Sequence, residues 1–323
     1  MPKIQMRDNK QGDSSATRLQ RTIENRERAA RAARERRQQA IIGVIVVIIV
    51  AAMLAAVGIT AYQAAYVQPQ KKIEQSAKSN HNLDNIDPSI RPSGVNSKNG
   101  ILFSKDGYGK QAAGAPTVAT YFDPLCPGCG SFNRTVDKTL IKMVEAGQIN
   151  LELHPMSFLD GLSTDHYSTR VSSAIAYIAS YDNNPKHLLQ FINGIFNEKF
   201  QPEESEGYKP VSNKELIKLA KKSGIPNEIA SKAFNRQYLK WQLLVNKYTP
   251  DRKELWNVSG PNKGSMTTPT VTINDKLLDM NAINEKKMKV LDALLHCIGL
   301  DKKQVGVAGQ MPKVSDTSSP IAL

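Results

Sequence analysis

The 323 residues carry 43 Lys and Arg against 30 Asp and Glu, a net charge of +13 with a pI near 9.5, and only three cysteines. Three thiols exclude a disulfide-stapled scaffold, so stability must come from a hydrophobic core. The charge alone would raise nucleic acid or anionic membrane as partners, but its distribution argues against nucleic acid. Residues 1–39 hold eleven Lys and Arg against five acids, and the rest of the excess is spread along the chain without a long basic block.

Residues 1–39 are polar and read as a basic cytoplasmic arm, with too little apolar area to fold alone. So close to a bilayer, each cation would gain ~1 kcal/mol from anionic lipid. From Ala40 to Ala61 there is no charged residue, and Tyr62 and Tyr66 follow one helical turn apart. A helix of that length matches a hydrocarbon core of about 30 Å. Residues 40–66 are therefore predicted as a single transmembrane anchor. The basic excess before the span puts the N-terminus in the cytoplasm and the rest of the chain outside the cell membrane. A cleaved signal peptide would need a shorter arm and a shorter apolar run. Residues 67–100, with Gln68-Pro69-Gln70, Asp87-Pro88 and Arg91-Pro92-Ser93-Gly94, read as a linker.

The folded domain is placed at residues 101–300. Ile101-Leu102-Phe103 reads as a short strand before a turn at Lys105-Asp106-Gly107. Thr117–Phe122 is a buried strand by composition. After Cys129 the apolar residues Phe132, Val136, Leu140, Met143 and Val144 recur at helical spacing, with Gly147 as the C-terminal stop. Ile149–Met156 reads as the next strand, and strand, helix, strand implies parallel pairing. From about 160 to 248 the pattern is helical. Pro185 suits a first helical position, and Ser212–Glu215 forms a capping box. Thr270–Ile273 and Lys276–Met280 are joined by an Asn274-Asp275 turn as a hairpin. A final helix carries Met288 to Ile298, and residues 301–323 read as a flexible tail.

The chemistry concentrates at Cys126-Pro127-Gly128-Cys129. If the strand before it ends and a helix opens here, Cys126 meets unpaired backbone N–H groups, which favour a thiolate. Pro127 fits the first helical position, and Cys129 lies one turn on, facing Cys126. A structural zinc site is the alternative for the pair. It needs four ligands, and the chain offers only Cys297 and His81, His154, His166, His187 and His296 besides. Asp123 reads as a capping residue, His154 as a strand residue, and Cys297 as a core thiol. Tyr238 and Trp241 read as core.

The order of elements resembles the thioredoxin fold with an inserted α-helical subdomain, and within it the membrane-anchored DsbA-like thiol:disulfide oxidoreductases. The resemblance rests on Tyr121–Cys129 and on Met266-Thr267-Thr268-Pro269-Thr270-Val271. It implies an α/β protein whose Cys126 is the nucleophile and Cys129 the resolving thiol, with Pro127 and Gly128 between them. Pro269 would be the cis-proline beside the pair, and Thr268 would offer backbone groups to a substrate chain. It also implies a redox disulfide in place of any cofactor or metal. Its partners would be exported proteins with cysteine thiols and a membrane re-oxidising protein of the DsbB or vitamin K epoxide reductase-like type. Two departures stand out. Where many thioredoxin-fold proteins carry a buried acid, this chain has Thr120, whose hydroxyl cannot act as a carboxylate base. The dipeptide between the cysteines also lacks a histidine. Oxidase is the first functional reading, reductase or isomerase (including service to cytochrome c maturation) the second, and a redox-inactive tethered binding or chaperone domain the third.

Overall fold

The computed structural model describes residues 86–323, all within one compact unit. The expected arm (1–39), anchor (40–66) and most of the linker lie outside the described residues. Among those described, no helix is long and apolar enough to cross a membrane.

Six strands form one sheet in the order β2-β1-β4-β3-β5-β6. These are β1 (Ile101–Ser104), β2 (Gly107–Tyr108), β3 (Thr117–Phe122), β4 (Asn150–Pro155), β5 (Thr270–Ile273) and β6 (Lys276–Leu278). β3 is central, parallel to β4 in the register Thr120↔Leu153 and antiparallel to β5 in the register Tyr121↔Thr270. Every residue of β4 and all but the first of β3 are buried, as expected for strands covered on both faces. Asn274 and Asp275 both take positive φ in the β5–β6 hairpin, at 48° and 67°, the geometry of a two-residue I′ turn.

Helix α1 (Pro127–Glu145) crosses from β3 to β4 and ends in Ala146, with Gly147 at φ 69° directly after it. A left-handed residue at that place lets Gln148 N donate to Met143 O and satisfy an end carbonyl. The helical insert contains α2 (Tyr167–Tyr181), α3 (Pro185–Ile195), α4 (Asn213–Lys222), α5 (Asn227–Lys232) and α6 (Leu239–Tyr248). Pro185 opens α3, and Ser212 with Glu215 closes a reciprocal capping box at α4. α3 packs on α1, so the insert is tied to the cysteine helix.

Three regions differ from the sequence expectations. The end of the linker is part of the fold: Ile86 is buried, Val95 bridges Ile101, and buried Asn99 accepts a hydrogen bond from Trp241 Nε1 at 3.1 Å. Its polar composition hid this, because Asn96 Oδ1 satisfies the backbone of Lys98 and Gly100 locally. The expected final helix is α8 (Val290–Ile298), and it is preceded by a short helix that was not expected, α7 (Met280–Glu285). Asp279 ends the strand early because its carboxylate caps α7 through Asn281 N and Ala282 N. Residues 301–323, expected as a flexible tail, are anchored to the domain. Gln148 Nε2 donates to the carbonyls of Gln304 and Gln310, Lys313 N donates to Ile298 O, and Ile321 is buried with its N–H on Leu277 O. Those anchors are backbone carbonyls and one distant glutamine, which leave no mark in the tail's own composition.

Candidate functional site

β3 delivers the chain to the site and α1 begins there. Cys126 is the N-cap of α1, with Pro127 next and Gly130 N closing the first turn onto Cys126 O at 3.1 Å. A cap side chain normally accepts from an N–H in the first turn. Here Cys126 Sγ takes that part, accepting from Cys129 N at 3.3 Å. Cys126 Sγ also lies 3.3 Å from Thr268 O, to which its thiol donates. Its ionisation is drawn down to about 7, chiefly by a hydrogen bond from the Cys129 thiol and, against the cost of burial, by the Cys129 N–H and the Thr268 side chain.

Cys129 is deeper. Its Sγ accepts from Asp123 N at 3.4 Å, and burial, with its donation to Cys126, pushes its ionisation well up. The pair is thus graded: the outer sulfur is the easier thiolate, the inner one holds its proton. Both are free thiols.

Asp123 braces the loop ahead of the pair. Its two oxygens accept from Leu125 N and Leu159 N, each at 2.8 Å, and Ser168 Oγ of α2 donates to it as well. Burial raises its ionisation to about 6. The bracing agrees with the capping role read from the sequence and adds a link to the helical insert. Gln201 was not visible as a site residue. Its Nε2 donates to Cys126 O at 3.0 Å and Pro124 O at 3.3 Å, while Arg134 Nη1 donates to its Oε1 at 3.2 Å. A lone glutamine in the insert carries no sequence signal for this.

Thr268-Pro269 is a cis peptide. It meets the cysteine turn closely, since a Cβ on Gly128 would stand 3.4 Å from Pro269 Cδ and 3.7 Å from Cys126 Sγ. The structure therefore brings Cys126, Pro127, Gly128, Cys129, Thr268 and Pro269 into one place, although the two segments are far apart in sequence. An open groove runs from Cys126 past Phe158, Leu159, Pro250, Met266 and Thr268. It leaves the sulfur approachable along one side.

The other residues singled out lie elsewhere. His154 Nε2 is paired with Glu152 Oε1 at 2.6 Å and its ring stacks on Tyr121 with centroids 4.0 Å apart. Cys297 is buried in α8, where burial raises its ionisation. Trp241 is fully buried and Tyr238 nearly so. Among the described residues, no group of three or more His, Cys, Asp or Glu is arranged to hold a metal.

One further feature of α1 went unread. Asn133 and Asp137 follow Cys129 at intervals of four, and all three are buried. The spacing is a property of the sequence itself, because residues four apart share a helix face. Polar residues continuing the buried stripe of Cys129 are the available signal.

A family model described as thioredoxin matches residues 107–293, more than half of the chain. The chain belongs to the thioredoxin family. Among curated proteins, a 93-residue stretch is 37% identical to the serine/threonine-protein kinase PknE of Mycobacterium tuberculosis, covering 28% of this chain and 16% of that protein. The chain therefore spans well under two thirds of that relative's length. Among solved structures, the chain is similar to the reduced disulfide bond oxidoreductase DsbG of Mycobacterium tuberculosis, at 24% identity and a TM-score of 0.45 over 61% of this chain and 84% of that one. It is also similar to MdbA, a thiol-disulfide oxidoreductase from Actinomyces oris, at 21% identity and a TM-score of 0.47 over 64% of this chain and 88% of that one.

Proposed function

We propose that this thioredoxin-family chain is an extracytoplasmic thiol:disulfide oxidoreductase that introduces disulfides into exported proteins through Cys126 and Cys129. The observation that carries the reading is the graded pair: a helix-capping Cys126 ionising near 7 at the edge of a groove, over a buried Cys129 whose ionisation is raised. In the oxidising direction a substrate thiolate attacks Cys126 Sγ of the Cys126–Cys129 disulfide. Cys129 leaves, a mixed disulfide forms on Cys126, and the substrate's second thiolate then displaces Cys126. The departing Cys126 thiolate is received by the Cys129 N–H and the opening of α1. A substrate strand laid in the groove would meet the backbone at Thr268 and the ring of Pro269.

The direction rests on the sequence: a basic arm before an apolar span places the domain outside the membrane, where a re-oxidising membrane partner of the DsbB or vitamin K epoxide reductase-like type would return the disulfide. A second reading, reductase or isomerase, is favoured by one observation. Cys126 ionising near 7 stands with thioredoxin at about 7 and away from the strongly oxidising DsbA at about 3.5. The potential of the pair separates the two, a value near about −120 mV favouring the oxidase and one near about −270 mV the reductase. Turnover tests the site. A Cys126→Ser chain is expected to lose dithiol-oxidase activity and a Cys297→Ser chain to keep it. Equal activity in the two removes the assignment.

A further inference from the structure

Cys129 lines a largely enclosed cavity of about 30 Å³ whose wall also includes Thr120, Asn133, Asp137, Leu140 and Phe196. Most of the wall is apolar, yet two polar atoms in it are unpartnered: Asn133 Oδ1 and Asp137 Oδ2 are buried without a hydrogen bond. Asn133 Nδ2 donates to the other Asp137 oxygen at 2.8 Å. Leaving a buried acceptor unsatisfied costs ~1–3 kcal/mol, so this arrangement does not serve stability. A leucine at 137 would fit an apolar wall with less cost.

The thiol at Cys129, in contrast, has an unmet need. To attack a mixed disulfide on Cys126 it must lose a proton, and as leaving group it must gain one. Thr120 offers no carboxylate for this. Asn133 and Asp137 stand four and eight residues along α1 on the same face as Cys129, at about 6 Å per step. Eight residues are too far for direct contact. A cavity of about 30 Å³ has room for about two waters, at about 10–15 Å³ each, and Asn133 Oδ1 and Asp137 Oδ2 are the unpartnered acceptors that would hold them.

We propose that Asn133 and Asp137, with water held in this cavity, form the proton relay for Cys129 during thiol–disulfide exchange. The inference rests on the redox reading given above. When the mixed disulfide is resolved, Cys129 Sγ attacks Cys126 Sγ and the substrate leaves as thiolate. The Cys129 proton passes through water to the Asp137 carboxylate. In the oxidising direction the substrate thiolate breaks the Cys126–Cys129 bond, the electron pair stays on Cys129 Sγ, and the Asp137 carboxyl returns the proton. Asn133 positions both the water and the acid. Asp137 touches no reacting atom and is a positioning residue for the proton.

The ionisation of Asp137 suits this work, since burial raises it to about 7, where an acid both gives and takes protons at neutral pH. The surfaces facing it leave that value undisturbed. α3 presents Leu189, Ile192 and Phe196; the sheet presents Thr120, Leu151, Leu153 and Tyr121, whose hydroxyl accepts from Arg252 at 2.9 Å. On α1 itself the ionisable group in the lining besides Asp137 is Cys129.

The test uses the full reduced chain carrying Cys297→Ser, mixed with 5,5′-dithiobis(2-nitrobenzoate) in a stopped flow. Attack by Cys126 releases one thionitrobenzoate, and resolution by Cys129 releases the second. The second phase is expected to show an inflection near pH 7. Asp137→Asn is expected to slow it about tenfold or more at that pH and to abolish the inflection, with the first phase within about twofold. Asp137→Leu serves in the same way should the asparagine destabilise the fold. A second phase unchanged within about twofold in these variants, or a parent chain lacking the inflection, overturns the relay. Absence of the first phase in the parent overturns the redox reading itself, and the relay with it.

Discussion

The ionisation of Cys126 depends most on its neighbour, so removing the Cys129 thiol gives a quantitative test of the site. In Cys129→Ala the N–H at residue 129 and the opening of α1 remain, while the thiol that donates to Cys126 is lost. A hydrogen bond to a charged group contributes ~1.5–3 kcal/mol, and a thiol is a weak donor, so the low end applies. At about 1.4 kcal/mol per tenfold change, the Cys126 midpoint should move from about 7 to about 8. Half of the sulfur is then thiolate at pH 7 in the parent chain and about a tenth in the variant. Because intrinsic nucleophilicity rises with basicity, by about threefold here, alkylation at pH 7 should slow only about twofold while the high-pH plateau rises about threefold. Iodoacetamide kinetics between pH 5 and pH 10 on the full chain with Cys297→Ser would read both quantities. A midpoint that stays near 7 without the Cys129 thiol would show that the helix terminus alone sets the value. A parent midpoint above about 8.5 would refute the electrostatic account of the site.

Two other outcomes follow from the same geometry. Asp137 ionises near 7 in the fold and near about 3.9 unfolded, so the stability it permits is full below about pH 4, falls as pH rises, and is lost by about pH 7. Asp137→Leu should therefore stabilise the domain by up to ~4 kcal/mol at pH 8 relative to pH 4. Thermal melts at the two pH values check this, and an equal shift at both would count against a buried ionisable acid. Gln148→Ala should free residues 304–310, because one side chain supplies their shared hydrogen bonds. Faster backbone hydrogen exchange in 304–310, with α1 still protected, is the expected sign; unchanged exchange would show that Lys313 and Ile321 suffice as anchors.

Much of the fold was legible because its signals are local. The apolar run Thr117–Phe122, the helical spacing after Cys129, Pro185 opening α3 and the Ser212–Glu215 box each declare themselves within a few residues, and each takes the expected form. The boundaries were less legible. Ile86 and Asn99 lie in polar surroundings whose partners, Trp241 among them, come from the helical insert. The residues after 300 are held by backbone carbonyls, which every sequence has. The strand expected over Lys276–Met280 stops at Leu278, because the Asp279 carboxylate caps α7 through the N–H groups of Asn281 and Ala282.

For the site, the sequence by itself determined the candidate atoms: two thiols one helical turn apart behind a buried strand, with a proline beside a second strand and no acid at Thr120. Which thiol ionises first, and where a proton can go, was decided by tertiary structure. Gln201 holds the carbonyl of Cys126, and Asp123 ties the cysteine loop to α2 across the sequence. Burial then grades the sulfurs and raises Asp137 to about 7. Spacing places residues along one element, whereas ionisation depends on the dielectric and the partners that surround a group from every element packed against it.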